Sequence, residues 1–161
     1  MDSSHNFMIP AEELLPFLRE RLAAGQTVRY LPFRGLSMLP LLRQGKDKIE
    51  LSPLPETLRK YDLPVYQYPS GKVVMHRVVG MEAGKYICLG DNTYSYEKIA
   101  PEQMIGLVTA IKRGEKRIPV TSSGYRLYCR IWVAIYPIRK FLRPCWIFLR
   151  RAYGFIRRRL K

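Results

Sequence analysis

A chain of 161 residues has room for one ordinary domain and a short extension, and its 47% apolar content excludes wholesale disorder. The formal net charge of +15 is unevenly spread: residues 116–161 hold 13 Lys and Arg and no acid, leaving 15 basic and 13 acidic residues before them. A near-neutral body thus carries a polycationic tail, and such a tail seeks phosphate, of lipid headgroups or of nucleic acid.

Residues 1–9 read as a loose polar leader with no secretory apolar stretch. Pro10 then precedes Ala11-Glu12-Glu13, placing a proline and two acids where a helix begins. Leu14, Leu15, Leu18 and Leu22 recur at helical spacing and Gly25 offers a stop, which predicts an amphipathic helix over about 11–24. From residue 27 the texture turns to short β-rich runs over 27–32, 47–51, 63–68, 72–79, 85–89, 104–112 and 116–120. Turn signals such as Pro69-Ser70-Gly71, Glu82-Ala83-Gly84, Gly90-Asp91-Asn92 and Arg113-Gly114 separate them. This pattern predicts a mainly β fold, a compact antiparallel barrel or sandwich. From Tyr125 the pattern is helical again, interrupted at Pro137 and Pro144, with basic residues interleaving aromatic ones. Two or three short basic amphipathic helices are expected there, and no stretch is long and apolar enough for a membrane span. The organisation read from sequence is a leader and helix over 1–25, a β core over 26–121 and a basic tail over 122–161.

Few residues can carry chemistry. Cys88, Cys129 and Cys145 have no paired spacing and no neighbouring histidine, which argues against a disulfide framework or a zinc site and for a reducing compartment. His5 lies in the leader, so His76 is the imidazole expected to be held in place. Strand alternation over 72–79 puts Val74, His76 and Val78 on one face. Ser37 occupies the tight turn Gly35-Leu36-Ser37-Met38-Leu39-Pro40, where backbone amides can approach a substrate and receive an oxyanion. Taken alone, His76 also reads as ordinary packing and Ser37 as a plain hydroxyl turn. Asp91 and Glu97 are the two carboxylates placed to orient an imidazole, and Asp91 also reads as an ordinary turn residue. Gly106, within a buried apolar run, reads as a structural close approach.

Taken together and in order, these segments resemble the signal peptidase and SOS-repressor clan of serine peptidases. Gly35-x-Ser37-Met38-x-Pro40 matches the nucleophile box, and Gly45-Lys46-Asp47-Lys48-Ile49 resembles the Gly-Asp strand that follows it, with one residue inserted. Asp62-Leu63-Pro64-Val65-Tyr66 is similar to the next strand, and His76-Arg77-Val78-Val79-Gly80 to the box of the base. Leu89-Gly90-Asp91-Asn92 is similar to the acidic box and Ile105-Gly106-x-Val108 to the closing strand. The resemblance covers about residues 28–112. It implies Ser37 as nucleophile and His76 as general base, the histidine type of the endoplasmic-reticulum and archaeal enzymes, with Asp91 or Glu97 as third member. Lys72 is the rival base, four residues earlier on the same strand. The departures from the pattern are Tyr96-Glu97 where the histidine-type relatives carry an acidic pair, the lack of a side-chain hydroxyl at Gly35 for the oxyanion, and the lack of an N-terminal anchor.

The implied activity is hydrolysis of signal or leader peptides, without cofactor or metal. Its alternatives are an intracellular leader peptidase for small exported or modified peptides, and a DNA-binding regulator on a repressor-type fold. The expected partners are a peptide or preprotein substrate and an anionic membrane surface, with no specific nucleic acid. The tail, through Trp132, Tyr136, Phe141, Trp146, Phe148, Tyr153 and Phe155 and its basic residues, is expected to hold the chain peripherally at the cytoplasmic membrane.

Overall fold

A computed structural model describes residues 11–142 of the chain. The leader with His5, and the tail beyond Leu142 with Cys145, Trp146, Phe148, Tyr153 and Phe155, lie outside the described residues.

The chain is mainly β and forms two antiparallel sheets. Helix α1 (Ala11–Ala23) presents Leu18 and Leu22, one turn apart, to the core. The first sheet runs in the order β1 (Val28–Leu31), β2 (Asp47–Ser52), β8 (Met104–Arg113), β3 (Pro64–Gln67) and β4 (Val73–Met75). The ten residues of β8 make it the spine: β2 lies along one side, and the other side is shared by β3 and by β9 (Lys116–Pro119). The second sheet comprises β5 (Arg77–Glu82), β6 (Lys85–Leu89) and β7 (Glu97–Ile99) in sequence order. Among the described residues neither sheet closes into a barrel, because β1 and β4 remain as edges of the first and the second stops at three strands.

Gly106 behaves as its apolar setting requires. A Cβ there would lie 2.9 Å from Leu22 Cδ1 and 3.0 Å from both Leu51 Cγ and the Ser52 carbonyl, so only glycine lets α1 and β2 close over β8.

Two corrections bear on the site. The run over 72–79 is not one strand: β4 ends at Met75 in the first sheet, β5 begins at Arg77 in the second, and His76 is the residue between them. Strand β7 was not legible, since three residues enclosed by a polar turn and Pro101 give no period to detect.

Helix α2 (Ser123–Ala134) breaks at Ile135 and residues 136–142 are helical again, so that Pro137 falls in a first helical turn, where a missing amide costs nothing. The expected boundary at 121/122 does not set α2 apart. Tyr125 and Cys129, one turn apart, are buried in the same cluster as Leu42, Leu51 and Val108.

Candidate active site

Ser37 sits in the loop between β1 and β2, half-buried, with Met38 and Leu42 anchoring the loop in the main core. Gly35 takes φ +110°, open to glycine alone, and its amide donates to Gln44 Oε1 at 2.8 Å. The Leu42 amide donates to the Met38 carbonyl at 2.9 Å, and the Leu39–Pro40 peptide is cis.

His76 is 4% exposed at the crossing between the sheets. Its Nδ1 lies 2.9 Å from Glu97 Oε2, the first residue of β7, and 3.1 Å from the Tyr66 hydroxyl of β3. Tyr66 in turn donates to the same Glu97 oxygen. Burial alone would raise the Glu97 carboxyl, but hydrogen bonds from His76, Tyr66 and Tyr68 outweigh it and hold it down at about 2. Burial, then the adjacent Glu97 charge, push the Tyr66 phenol well up, so it stays a donor. An ionised Glu97 that accepts from both neighbours favours the tautomer with its proton on Nδ1, which leaves Nε2 as the acceptor edge of the ring. Nε2 is buried and, among the described residues, has no hydrogen-bond partner. A buried polar atom so left is an exception to the rule of satisfaction that calls for a physical reason, and Tyr136 Oη and Arg139 Nε share the condition.

The turn between β6 and β7 joins these two regions. A Cβ on Gly90 would lie 2.9 Å from both Cδ2 and Nε2 of His76, so the turn backbone lies directly on the ring. Two residues on, the Asn92 amide donates to the Ser37 carbonyl at 2.7 Å and Asn92 Nδ2 to the Leu36 carbonyl at 3.1 Å. One turn therefore touches the imidazole with its first residue and the Ser37 loop with its third. Ser37 Oγ does not hydrogen-bond to Nε2.

Asp91, between them, does not orient the imidazole. Its carboxylate accepts from Arg77 Nε at 3.0 Å and Nη2 at 2.8 Å, a bidentate pair with both side chains almost wholly buried, and from the Tyr128 hydroxyl at 2.9 Å. Of the two carboxylates, the geometry gives the imidazole to Glu97. Lys72, the rival base, is exposed at the opposite end of β4 from the crossing residue.

Sequence reasoning missed Tyr66, Arg77, Trp132 and Arg139. A buried tyrosine in a β run reads as core, and Arg77 as a solvated neighbour of His76. Trp132 and Arg139, expected at the membrane interface, also make contacts within the fold: Trp132 Nε1 and Arg139 Nη1 donate to the Asp91 carbonyl at 2.9 Å and 2.6 Å. Tyr136, likewise expected in the interface, is 4% exposed and lies against Tyr96 with ring centroids 5.0 Å apart.

No protein-family model matches the chain, and comparisons with curated proteins and with solved structures return no significant match.

Proposed function

We propose that the chain is a serine endopeptidase resembling the signal peptidases, with Ser37 as nucleophile, His76 as general base and Glu97 as the acid that orients it. The observation that carries this reading is the imidazole itself: buried, held at Nδ1 by an ionised carboxylate, with an unpartnered Nε2 beside a turn bonded to the Ser37 loop.

In the proposed reaction, Nε2 takes the Ser37 proton as Oγ bonds to the substrate carbonyl carbon, and the Ser37 amide helps receive the oxyanion. The imidazolium, steadied by Glu97, returns that proton to the departing amine as the C–N bond breaks. Water then loses a proton to Nε2 and attacks the acyl group. The ester bond to Oγ breaks, Oγ regains a proton and a carboxylate product leaves. The resemblance in the boxes around Ser37 and His76 assigns signal or leader peptides as substrates.

Labelling with an active-site serine acylator tests the class. Modification should map to Ser37 and vanish in Ser37→Ala and His76→Ala while both variants stay folded, and the double variant should be scarcely less active than either single one. Labelling that survives in His76→Ala but is lost in Lys72→Ala would replace the histidine base with lysine.

The same reading places the chain at an anionic membrane. Among the described residues no helix is long and apolar enough to cross one. The outward side of α2 and of residues 136–142 nevertheless exposes Leu127, Ile131, Ile138, Phe141 and Leu142, with Phe141 78% exposed. Arg126, Arg130 and Lys140 are exposed among them. Apolar wedges flanked by cations, in a segment without acids, suit an anionic lipid surface.

A further inference from the structure

We propose that Trp132 and Arg139, on the C-terminal helices, are positioning residues that hold the Ser37 loop against the His76 crossing through the backbone of Asp91. The proposal rests on the peptidase reading for its chemistry, but its geometry stands apart from it.

The Asp91 carbonyl accepts from both Trp132 Nε1 and Arg139 Nη1, which takes up both of its lone pairs. The two donors brace each other: the Arg139 guanidinium lies 4.1 Å above the indole ring, and Arg139 Nη2 reaches the Trp132 carbonyl at 3.4 Å. Tyr128 stacks on Trp132, its ring centroid 5.6 Å away at 15°, and donates to the Asp91 carboxylate. Asp91 is thus gripped by its backbone from the helices and by its side chain from Arg77 and Tyr128. Its neighbours in sequence do the work at the site, Gly90 against the ring and Asn92 on the Ser37 and Leu36 carbonyls. Shifting the Asp91 carbonyl must therefore move the nucleophile loop relative to the base. A misplacement of about 1 Å in a reacting pair costs about 100-fold, so a small slip at this carbonyl is felt in the rate. Tyr125 and Cys129 already anchor α2 in the core, so the Trp132 and Arg139 bonds add direction rather than attachment.

The full chain is compared with Trp132→Phe, which keeps the stacked ring and loses the donor, and with Arg139→Met and Arg139→Lys. Two measurements are made: amide hydrogen exchange at Asn92, and inactivation by a serine acylator resolved into its maximal rate and its half-saturation concentration. Trp132→Phe and Arg139→Met should each speed Asn92 exchange and slow the maximal inactivation rate by about tenfold, the worth of one hydrogen bond. Half-saturation and β6 amide exchange should hold steady, and Arg139→Lys should recover much of the loss. Unchanged Asn92 exchange in both donor-less variants overturns the proposal. So does faster exchange spread equally over β5 and β6, which makes the pair merely stabilising, and so does a normal maximal rate despite fast Asn92 exchange. If Ser37 of the unaltered chain is not acylated at all, the peptidase reading fails, while Asn92 exchange still decides whether the helices hold the loop.

Discussion

Two carboxylates six residues apart meet opposite fates, and the difference is measurable. Glu97→Gln keeps the shape of the group on Nδ1 but removes the charge that steadies the imidazolium and lets the wrong tautomer form. On the proposed peptidase reading, kcat should fall by about two to four orders of magnitude with the fold intact. Asp91→Asn leaves the buried Arg77 cation without its partner, so urea denaturation should show a loss of about 3–5 kcal/mol. A catalytic defect from Asp91→Asn without that destabilisation would return the orienting role to Asp91. Acid stability follows from the same residues. Glu97 is lowered from 4.5 to about 2 in the folded chain, as bonds from His76 and the tyrosines overcome the opposing effect of burial. Asp47 is lowered from 3.8 to about 2, as hydrogen bonds from Arg43 and Arg113 do the same. Both folded values lie below the unfolded ones. Their stabilisation is therefore fully present above pH 4.5 and is lost as pH falls toward 2. The urea midpoint should drop across that window, and drop less steeply in Glu97→Gln and in Asp47→Asn. Parallel curves for the parent and both variants would contradict these assignments.

At the scale of elements, the C-terminal helices have two faces of different exposure. Inward, Tyr125, Cys129, Trp132 and Tyr136 pack on the core and on the Asp91 turn; outward, Leu127, Ile131, Ile138 and Phe141 meet solvent. A chain ended at Ser123 would lose the buried Tyr125 and Cys129 with the rest of α2, so truncation there would report on folding instead of lipid binding. Point changes on the outward face separate the two. The full chain should float with anionic liposomes at low salt and less at high salt, because the Debye length shrinks from about 30 Å at 0.01 M to about 10 Å at 0.1 M. Leu127→Ser combined with Ile131→Ser and Phe141→Ser should weaken flotation while leaving Ser37 labelling in solution unchanged. Undiminished flotation of that variant would remove this face from the membrane contact.

For the whole molecule, the local signals decided what local signals can. Period and turn chemistry determined α1, the runs of β2, β6, β8 and β9, and the mainly β class, because hydrophobic alternation and Gly-containing turns act within a few residues. Residue type and box order also singled out Ser37, His76, Asp91 and Glu97, since few side chains of suitable chemistry occur in suitable turns. What period could not express was the crossing at His76, where an unbroken apolar alternation passes from one sheet to another, or the two sheets left unclosed. Nor could it choose between Asp91 and Glu97. That choice belongs to Arg77, whose side chain is buried against Tyr125, Cys129 and Asp91 and so withdraws one carboxylate from the imidazole, through contacts 14 to 52 residues apart in the chain. Sequence by itself determined which groups were present and most of the stretches that become strands, β7 and the break at His76 excepted. The tertiary structure alone decided their pairing, because a buried charge takes whichever partner the packing brings within about 3 Å.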